Sequence, residues 1–490
     1  MANMGGDVTD YDVVVLGSGL AGACAALEAA ASGARVLIAE AEERPGGRSQ
    51  FSTGMIMGAG SRFQRERGIE DDPEALFRHY MTLNQWKVDA SVVRRLAQRA
   101  APSIEWLADL GVEILDVYFS GDELVPRGHV TRGGAAIMET VLGHVRRQPN
   151  IDLALKQRVT RLLADGGRVT GVAAGDDEIS AAAVVLATGG IEGSPQLIRQ
   201  YLPAAAAAAG DWLYPNGLEP VARYSRGDAF ALTAPVSAQI AGTDRWLCTL
   251  RPDFSHESDP YFPGWLVCVN SAGRRFFDEM SPYSVTQPIV LAQGGPVWVV
   301  FDDAAKRASQ PKSTRAFKKV VIPGMTWEDW VEPVIDEMAA EGKVTTAGSL
   351  GELARAIGVP AAGLAGTIEK YNADAAAGHD TVHLKRPDVL RPVATPPFYA
   401  TEVRLSQLSV TAVGPRIDRD GRVMNTSNRP VPGLFAGGEC TGGVIGDVYV
   451  GSGNALASAL VFGRIAGRSA ARGARFRSGH EGIEYRYISE

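Results

Sequence analysis

Four cysteines in 490 residues is a small number, and none of them stands in a CxxC pair or any other metal-ligand spacing. Cys24, Cys248, Cys268 and Cys440 lie mostly in apolar runs, which excludes a disulfide framework and a thiolate metal site and predicts reduced thiols in a core. No metal is expected. The chain also lacks any stretch of about 18 uninterrupted apolar residues, so no membrane span is expected. Its first eleven residues do not combine a charged region with a following apolar one, and a cytoplasmic location is the expectation. Net charge is -7 without a basic block, which argues against nucleic acid or an anionic membrane as the main partner. The remainder, 45% apolar and 21% charged, is ordinary for a globular chain of two or three domains.

Two glycine-rich signals stand out, about 400 residues apart in the chain. The first follows the apolar run Val13-Val14-Val15-Leu16 and reads Gly17-Ser18-Gly19-Leu20-Ala21-Gly22, opening an alanine-rich helix over Ala21 to Ala31. Gly17 permits the tight turn, Gly19 leaves room for a pyrophosphate, and Gly22 lets helix and strand pack closely. Phosphates would sit at the helix N-terminus, where free N–H groups and the macrodipole favour an anion. A second strand over Arg35 to Ala39 ends at Glu40, about 20 residues past the glycines, where an acid can accept from ribose hydroxyls. The second signal is Gly433-Leu434-Phe435-Ala436-Gly437-Gly438-Glu439. Together they predict one split dinucleotide-binding domain.

Between the signals the chain changes character. A loop of small residues, Gly46-Gly47-Arg48-Ser49 to Gly54, has a backbone able to run against a flat ring system and contains no histidine. A helical region follows over Pro73 to Leu110. The segment Ala181 to Leu186 reads as a buried strand ending in Ala187-Thr188-Gly189-Gly190, again suited to a cofactor. The alanine tract Pro203 to Gly210 predicts a surface helix or connector. From about Gly242 the pattern turns aromatic-rich and mixed, as in an inserted domain returning near Val410. The expected division is 1–241 and 411–490 for the split domain and 242–410 for the insertion, with the substrate held between them. The fold class is α/β, a Rossmann-like FAD-binding domain carrying an α+β cap.

In this order these features resemble the FAD-dependent family that includes fumarate reductase and succinate dehydrogenase flavoproteins and the 3-ketosteroid dehydrogenases. The resemblance spans nearly the whole chain. It rests on Gly17 to Gly22, Ala187 to Gly190, Arg226-Gly227-Asp228, Gly273-Arg274-Arg275-Phe276 with Glu279, and Gly433 to Glu439 followed by Thr441-Gly442-Gly443. It implies FAD as cofactor, with Glu439 accepting from a ribityl hydroxyl and Gly438 approaching the flavin. Val159, Asp228, Ser452, Asn454, Ala455 and Leu456 join the implied cofactor set. Covalent members attach FAD through a histidine in the loop that is here Gly46 to Gly54, so its absence implies non-covalent flavin.

Fumarate reductases hold two carboxylates with histidines and arginines at four places in this pattern. Each departs here, at Leu247 to Pro252, at Ser409 to Gly414, at Tyr283 in place of a proton-donating arginine, and at Asp447 to Ala455. The replacements match the steroid branch, whose cap carries Arg-Phe-x-x-Glu-x-x-Pro-Tyr and whose flavin segment carries Tyr-x-Gly-x-Gly. By that resemblance Tyr283 is the base that takes the α-proton of a ketone while flavin N5 takes the β-hydride. Tyr449 O–H and the Gly453 N–H would form the oxyanion hole. Tyr118 would be a neighbour that depresses the Tyr283 pKa from its ordinary value of about 10.

The expected reaction is desaturation of a ring ketone, of the 3-ketosteroid Δ1 type. The alternatives are the same chemistry on a smaller cyclic ketone, such as cyclohexanone or 4-oxocyclohexanecarboxylate, and an ene reductase running in reverse. A carboxylate substrate would call on Arg251 or Arg127. His129, beside Arg127, reads as structural or solvated. The electron acceptor is left open.

Overall fold

The computed structural model describes residues 9–121, 123–215, 223–255, 262–310, 312–313 and 326–478. The chain opens with β1 (Tyr11–Leu16), α1 (Leu20–Ala31) and β2 (Val36–Ala39). Two helices, Pro73–Leu83 and Ala90–Asp109, follow, and then β3 (Ile151–Ala154) and β4 (Asp177–Leu186). Val13 to Leu16 and Val36 to Ala39 are buried throughout. Runs without polar alternation suit strands covered on both faces, as in a parallel sheet.

The cap contributes β5 (Trp246–Arg251), β6 (Val267–Val269), α2 (Tyr283–Leu291), β7 (Val297–Asp302) and β8 (Phe398–Thr411). The chain then returns through β9 (Arg422–Met424), β10 (Pro430–Ala436) and α3 (Asn454–Ser478). The first sheet runs β9-β10-β4-β1-β2-β3, and β4 pairs in parallel with β1 on one side and β10 on the other. The distant C-terminal segment is thereby built into the N-terminal domain. Close packing of helices completes the join: a Cβ at Gly463 or Gly467 of α3 would lie 2.3 Å from Ala21 O or 2.0 Å from Ala25 O of α1. Only glycines one turn apart let α3 lie against that face of α1.

In the second sheet the 14-residue β8 pairs antiparallel with β5 and β7, and β6 pairs with β7. Its core is aromatic, with Trp330 edge-on to Phe254, Phe262 and Phe301. Ile198, Leu202 and Ala205, from the helices Pro195–Tyr201 and Pro203–Ala209, also pack into this core although they precede Gly242. The outgoing and returning chains cross side by side: Ile240-Ala241 pairs with Gly414-Pro415, and a Cβ at Gly242 would fall 1.9 Å from Ala412 O. That neck sets the cap over the carboxyl ends of β1 and β4, where clefts form in such sheets. Among the described residues no helix is long and apolar enough to cross a membrane. All four cysteines are free and buried.

Candidate active site

One continuous cleft runs from the glycine turn after β1 to the foot of α2, bounded by the first domain on one side and the cap on the other. At its first end Gly17 has φ +100°, and the N-terminus of α1 opens onto the cleft with no side-chain cap on Gly19. Gly22 faces away: a Cβ there would meet Gly17 O at 1.9 Å, so it serves helix-to-strand packing. The acid of the dinucleotide motif is pre-oriented. Glu40 Oε2 accepts from Ser18 N–H at 2.9 Å and Ser18 Oγ at 2.5 Å, and Oε1 accepts from Glu42 N–H at 2.9 Å. A carboxylate has about four acceptor sites, so Glu40 retains capacity toward a ribose. Gly46 N–H donates to Ser18 Oγ, and Ser49 Oγ accepts from Leu20 N–H, which ties the loop over the turn. Leu20, Ala21, Gly47, Ser49 and Val159 line this end. Asp228 closes it, ion-paired with Arg158.

The middle of the cleft passes Ala187, Thr188, Gly189, Gly438 and Glu439. Gly438 has φ +83°, and a Cβ there would press on Ala21 Cβ at 2.9 Å. Arg48 reaches across from its loop. Its Nη1 lies 2.5 Å from Glu192 Oε1 and 3.3 Å from Glu439 Oε2, and its Nη2 donates to Ser409 O at 3.2 Å. Burial, together with the neighbouring Glu192, pushes the Glu439 carboxyl well above its ordinary range. Burial also opposes ionisation of Glu192, but the charge of Arg48 and hydrogen bonds from Glu439, the backbone and Arg48 together outweigh it and hold that carboxyl low. The sequence reading missed Glu192. Its signal was an acid immediately after Gly189-Gly190-Ile191, at the end of a buried strand.

At the far end Tyr283, the first residue of α2, and Tyr449 face each other with ring centroids 6.3 Å apart and planes inclined by 30°. The Tyr283 hydroxyl and Ser452 Oγ are 2.6 Å apart. The Tyr449 phenol oxygen, Oη, accepts from Ala455 N–H at 2.9 Å, in the first turn of α3. Burial, reinforced by Tyr283, raises the Tyr449 pKa well above its ordinary value. Gly453, with φ +90°, packs on the Met55–Ile56 backbone, and its N–H has no acceptor among the described residues. Around the pair the wall is largely apolar: Met55, Leu247, Val410 and Leu456, with Thr249 and Gln407 behind.

Four residues before Tyr283, at Glu279, the chain is anchored by a buried ionic cluster. Glu279 pairs with Arg275 at 2.8 Å and Lys385 at 3.1 Å, accepts from Cys268 N–H, and Arg275 turns its other nitrogen to Asp380 at 2.6 Å. Glu279 and Lys385 are fully buried. Lys385 and Arg275 keep Glu279 ionised against its burial.

Several sequence-predicted residues are not brought into the cleft lining. Tyr118 ends a short strand, Asp116–Tyr118, packed on Met55 and Val130, and burial with Asp116 nearby raises its pKa. Gly54 packs against Thr131 and Gly133, while Asn454 donates to Tyr80 Oη. Arg127 is committed to Asp71 through two 2.8 Å bonds. Arg251 lies buried behind the wall, donating to Gln407 Oε1 at 3.0 and 3.2 Å. His129, fully buried, lies 2.6 Å from Ser61 Oγ.

The cleft suits FAD on its own terms: an uncapped helix N-terminus for the pyrophosphate, an oriented acid for the ribose, a second acid midway, and glycines where a ring system must come close. Comparison with known proteins gives the same answer. The model of a family described as FAD binding domain matches residues 12–456. An NADH:fumarate oxidoreductase from Klebsiella pneumoniae (strain 342) is 30% identical over 479 residues; the alignment takes in 95% of this chain, which spans about half, 48%, of that protein. A 4-oxocyclohexanecarboxylate 2-dehydrogenase from Sinomonas cyclohexanicum is 27% identical, covering 94% of this chain and 93% of the relative. Among solved structures, the 3-ketosteroid-Δ4-(5α)-dehydrogenase of Rhodococcus jostii RHA1 superposes with a TM-score of 0.74 at 25% identity, over 95% of this chain and 98% of that one. With the cofactor cradle and these matches in agreement, the chain belongs to the FAD-binding family that includes fumarate reductases, FAD-dependent oxidoreductases acting on carbon–carbon bonds.

Proposed function

We propose that this protein desaturates a neutral ring ketone between its α and β carbons, a 3-ketosteroid being the preferred substrate and a cyclohexanone-sized ketone the alternative. The observation that carries the reading is the facing pair Tyr283 and Tyr449 in an apolar end of the cleft. Bound FAD supplies the hydride acceptor. The two tyrosines divide the remaining work by environment. Tyr449, kept neutral by burial, already accepts an N–H, so its single proton is free to be donated to a ketone oxygen. Together with the Gly453 N–H it offers two donors where an enolate oxygen would develop, beside the apolar side chains of Leu247 and Val410. Tyr283 takes the α-proton, its hydroxyl held by Ser452 Oγ.

The wall chemistry supports a neutral substrate over a dicarboxylate. Of the four arginines bordering the cleft among the described residues, Arg48 is engaged by Glu192 and Glu439, Arg158 and Arg223 lie beside Glu42 at the opposite end, and Arg226 is exposed two residues before Asp228, which closes that end. Two substrate carboxylates would lose their hydration against Leu247, Val410 and Met55 without compensation. The same residues serve an enone reductase, since microscopic reversibility applies to each step; the electron partner sets the direction.

The test is anaerobic titration of the holoprotein, read by its visible flavin band, with a saturated 3-ketosteroid, 4-androstene-3,17-dione, cyclohexanone and 4-oxocyclohexanecarboxylate in turn. Bleaching by a steroid supports the preferred substrate, and bleaching by cyclohexanone alone moves it to the alternative. Bleaching by none of them, together with reoxidation of the reduced protein by fumarate, would overturn the ketone reading.

A further inference from the structure

Charge balance around Arg48 leads beyond the substrate. Three elements that are remote in sequence converge there: the loop after β2 brings Arg48, the turn after β4 brings Glu192, and the turn after β10 brings Glu439. Both carboxyls lie on the same guanidinium nitrogen, Nη1. Both also share one backbone donor, since Thr411 N–H lies 3.2 Å from Glu192 Oε1 and 3.2 Å from Glu439 Oε1. The two acids are within hydrogen-bonding reach of each other. Glu192 has no side-chain exposure, Arg48 16% and Glu439 20%, so water screens the group little. Glu192 Oε2 is buried without a hydrogen-bond partner, a poor setting for a carboxylate spread over both oxygens. The other groups facing the cluster are the Ser225 hydroxyl, the Ser409 carbonyl, the Cys248 thiol and the Tyr449 phenol, and none carries a positive charge. One cation thus meets two buried acids, and like charges this close do not both ionise.

We propose that Glu192 and Glu439 hold a single proton between them, so that the chain presents FAD with a neutral carboxylic acid at Glu439, and Glu192 is the positioning residue that keeps it neutral. Glu192, close on Arg48, takes the negative charge. Glu439, which lines the cleft, keeps the proton and offers both a donor and an acceptor to the cofactor. This assignment is independent of the substrate reading. It differs from the role implied by family resemblance, in which Glu439 only accepts.

Infrared absorption of the FAD-loaded protein at neutral pH tests it. The wild type is expected to show a protonated-carboxyl C=O band, shifted in D2O, that disappears in Glu439→Gln. In Glu192→Gln the single remaining acid pairs with Arg48 and ionises, so the band is expected to be lost there as well. A companion titration measures FAD affinity against pH. The wild type is expected to bind less tightly as pH rises through the titration of the pair, and Glu192→Gln to lose that dependence. A wild type without the band, or a Glu192→Gln protein that keeps it, overturns the proposal. Should Glu192→Gln not fold, the wild-type band and its fate in Glu439→Gln decide: persistence in that variant puts the proton elsewhere and sinks the assignment.

Discussion

Tyr283 and Tyr449 are the same residue type in one cleft, and the proposed reaction gives them opposite tasks. Tyr283→Phe is expected to retain flavin and lose turnover by about 10²-fold or more, the range of a missing proton acceptor. Tyr449→Phe removes one oxyanion donor and is expected to cost about 10²- to 10³-fold in kcat. Stopped-flow bleaching with the reactive ketone measures both, and near wild-type bleaching in either variant removes that assignment. His129 gives a pH prediction. Burial depresses its pKa to about 4, against an ordinary value of about 6.5. The unfolded chain therefore binds a proton in that window while the folded one does not, and His129 contributes stability above about pH 6.5 that is lost as pH falls toward about 4. The contribution is at most about 3 kcal/mol. Denaturant midpoints of wild type and His129→Gln, compared across that window, should converge on acidification. At this scale the tyrosines were legible from their motifs. Tyr118, expected beside Tyr283 by analogy, packs instead on Met55 and Val130, outside the cleft lining.

Elements matter here through their junctions. The turn between β1 and α1 depends on Gly22, where a Cβ would overlap Gly17 O at 1.9 Å. Gly22→Val is expected to yield protein without bound flavin, measured as the ratio of visible to ultraviolet absorbance; a normally loaded variant would refute the packing role. The start of α2 depends on the cluster of Glu279, Arg275, Lys385 and Asp380. Lys385→Met leaves buried Glu279 with one cation fewer, and breaking a buried ionic group in this way costs about 3 to 5 kcal/mol. Chemical denaturation checks the magnitude, and a loss under about 1 kcal/mol would mean the cluster is not what secures the segment. The sequence showed the Arg275 to Tyr283 motif but not Lys385, 106 positions after Glu279 in the numbering, because nothing local marks a lysine whose partner lies across the cap.

Among the described residues the two largest cores are joined by a narrow neck, with the cofactor cleft between the split domain and the cap. Adding FAD at about 100 times its Kd is expected to stabilise the fold by about 2.7 kcal/mol, and the flavin is expected to separate from the chain on denaturation. Flavin remaining with the denatured polypeptide would contradict non-covalent binding. The dinucleotide turn was legible in the sequence by itself, as were the short motifs that carry Tyr283 and Tyr449 and the pattern from which a split domain is expected. Those signals are local: glycine spacing, apolar runs and short patterns within a few residues of one another. Only the tertiary structure decided that Glu192 meets Arg48 and Glu439, that Lys385 meets Glu279, and that Arg127 is spent on Asp71 while Arg251 sits behind the wall. Those pairings join segments tens to hundreds of residues apart, and what chooses a buried charge's partner is the shape of the enclosing core and the cost of leaving the charge unpaired, neither of which a local pattern encodes.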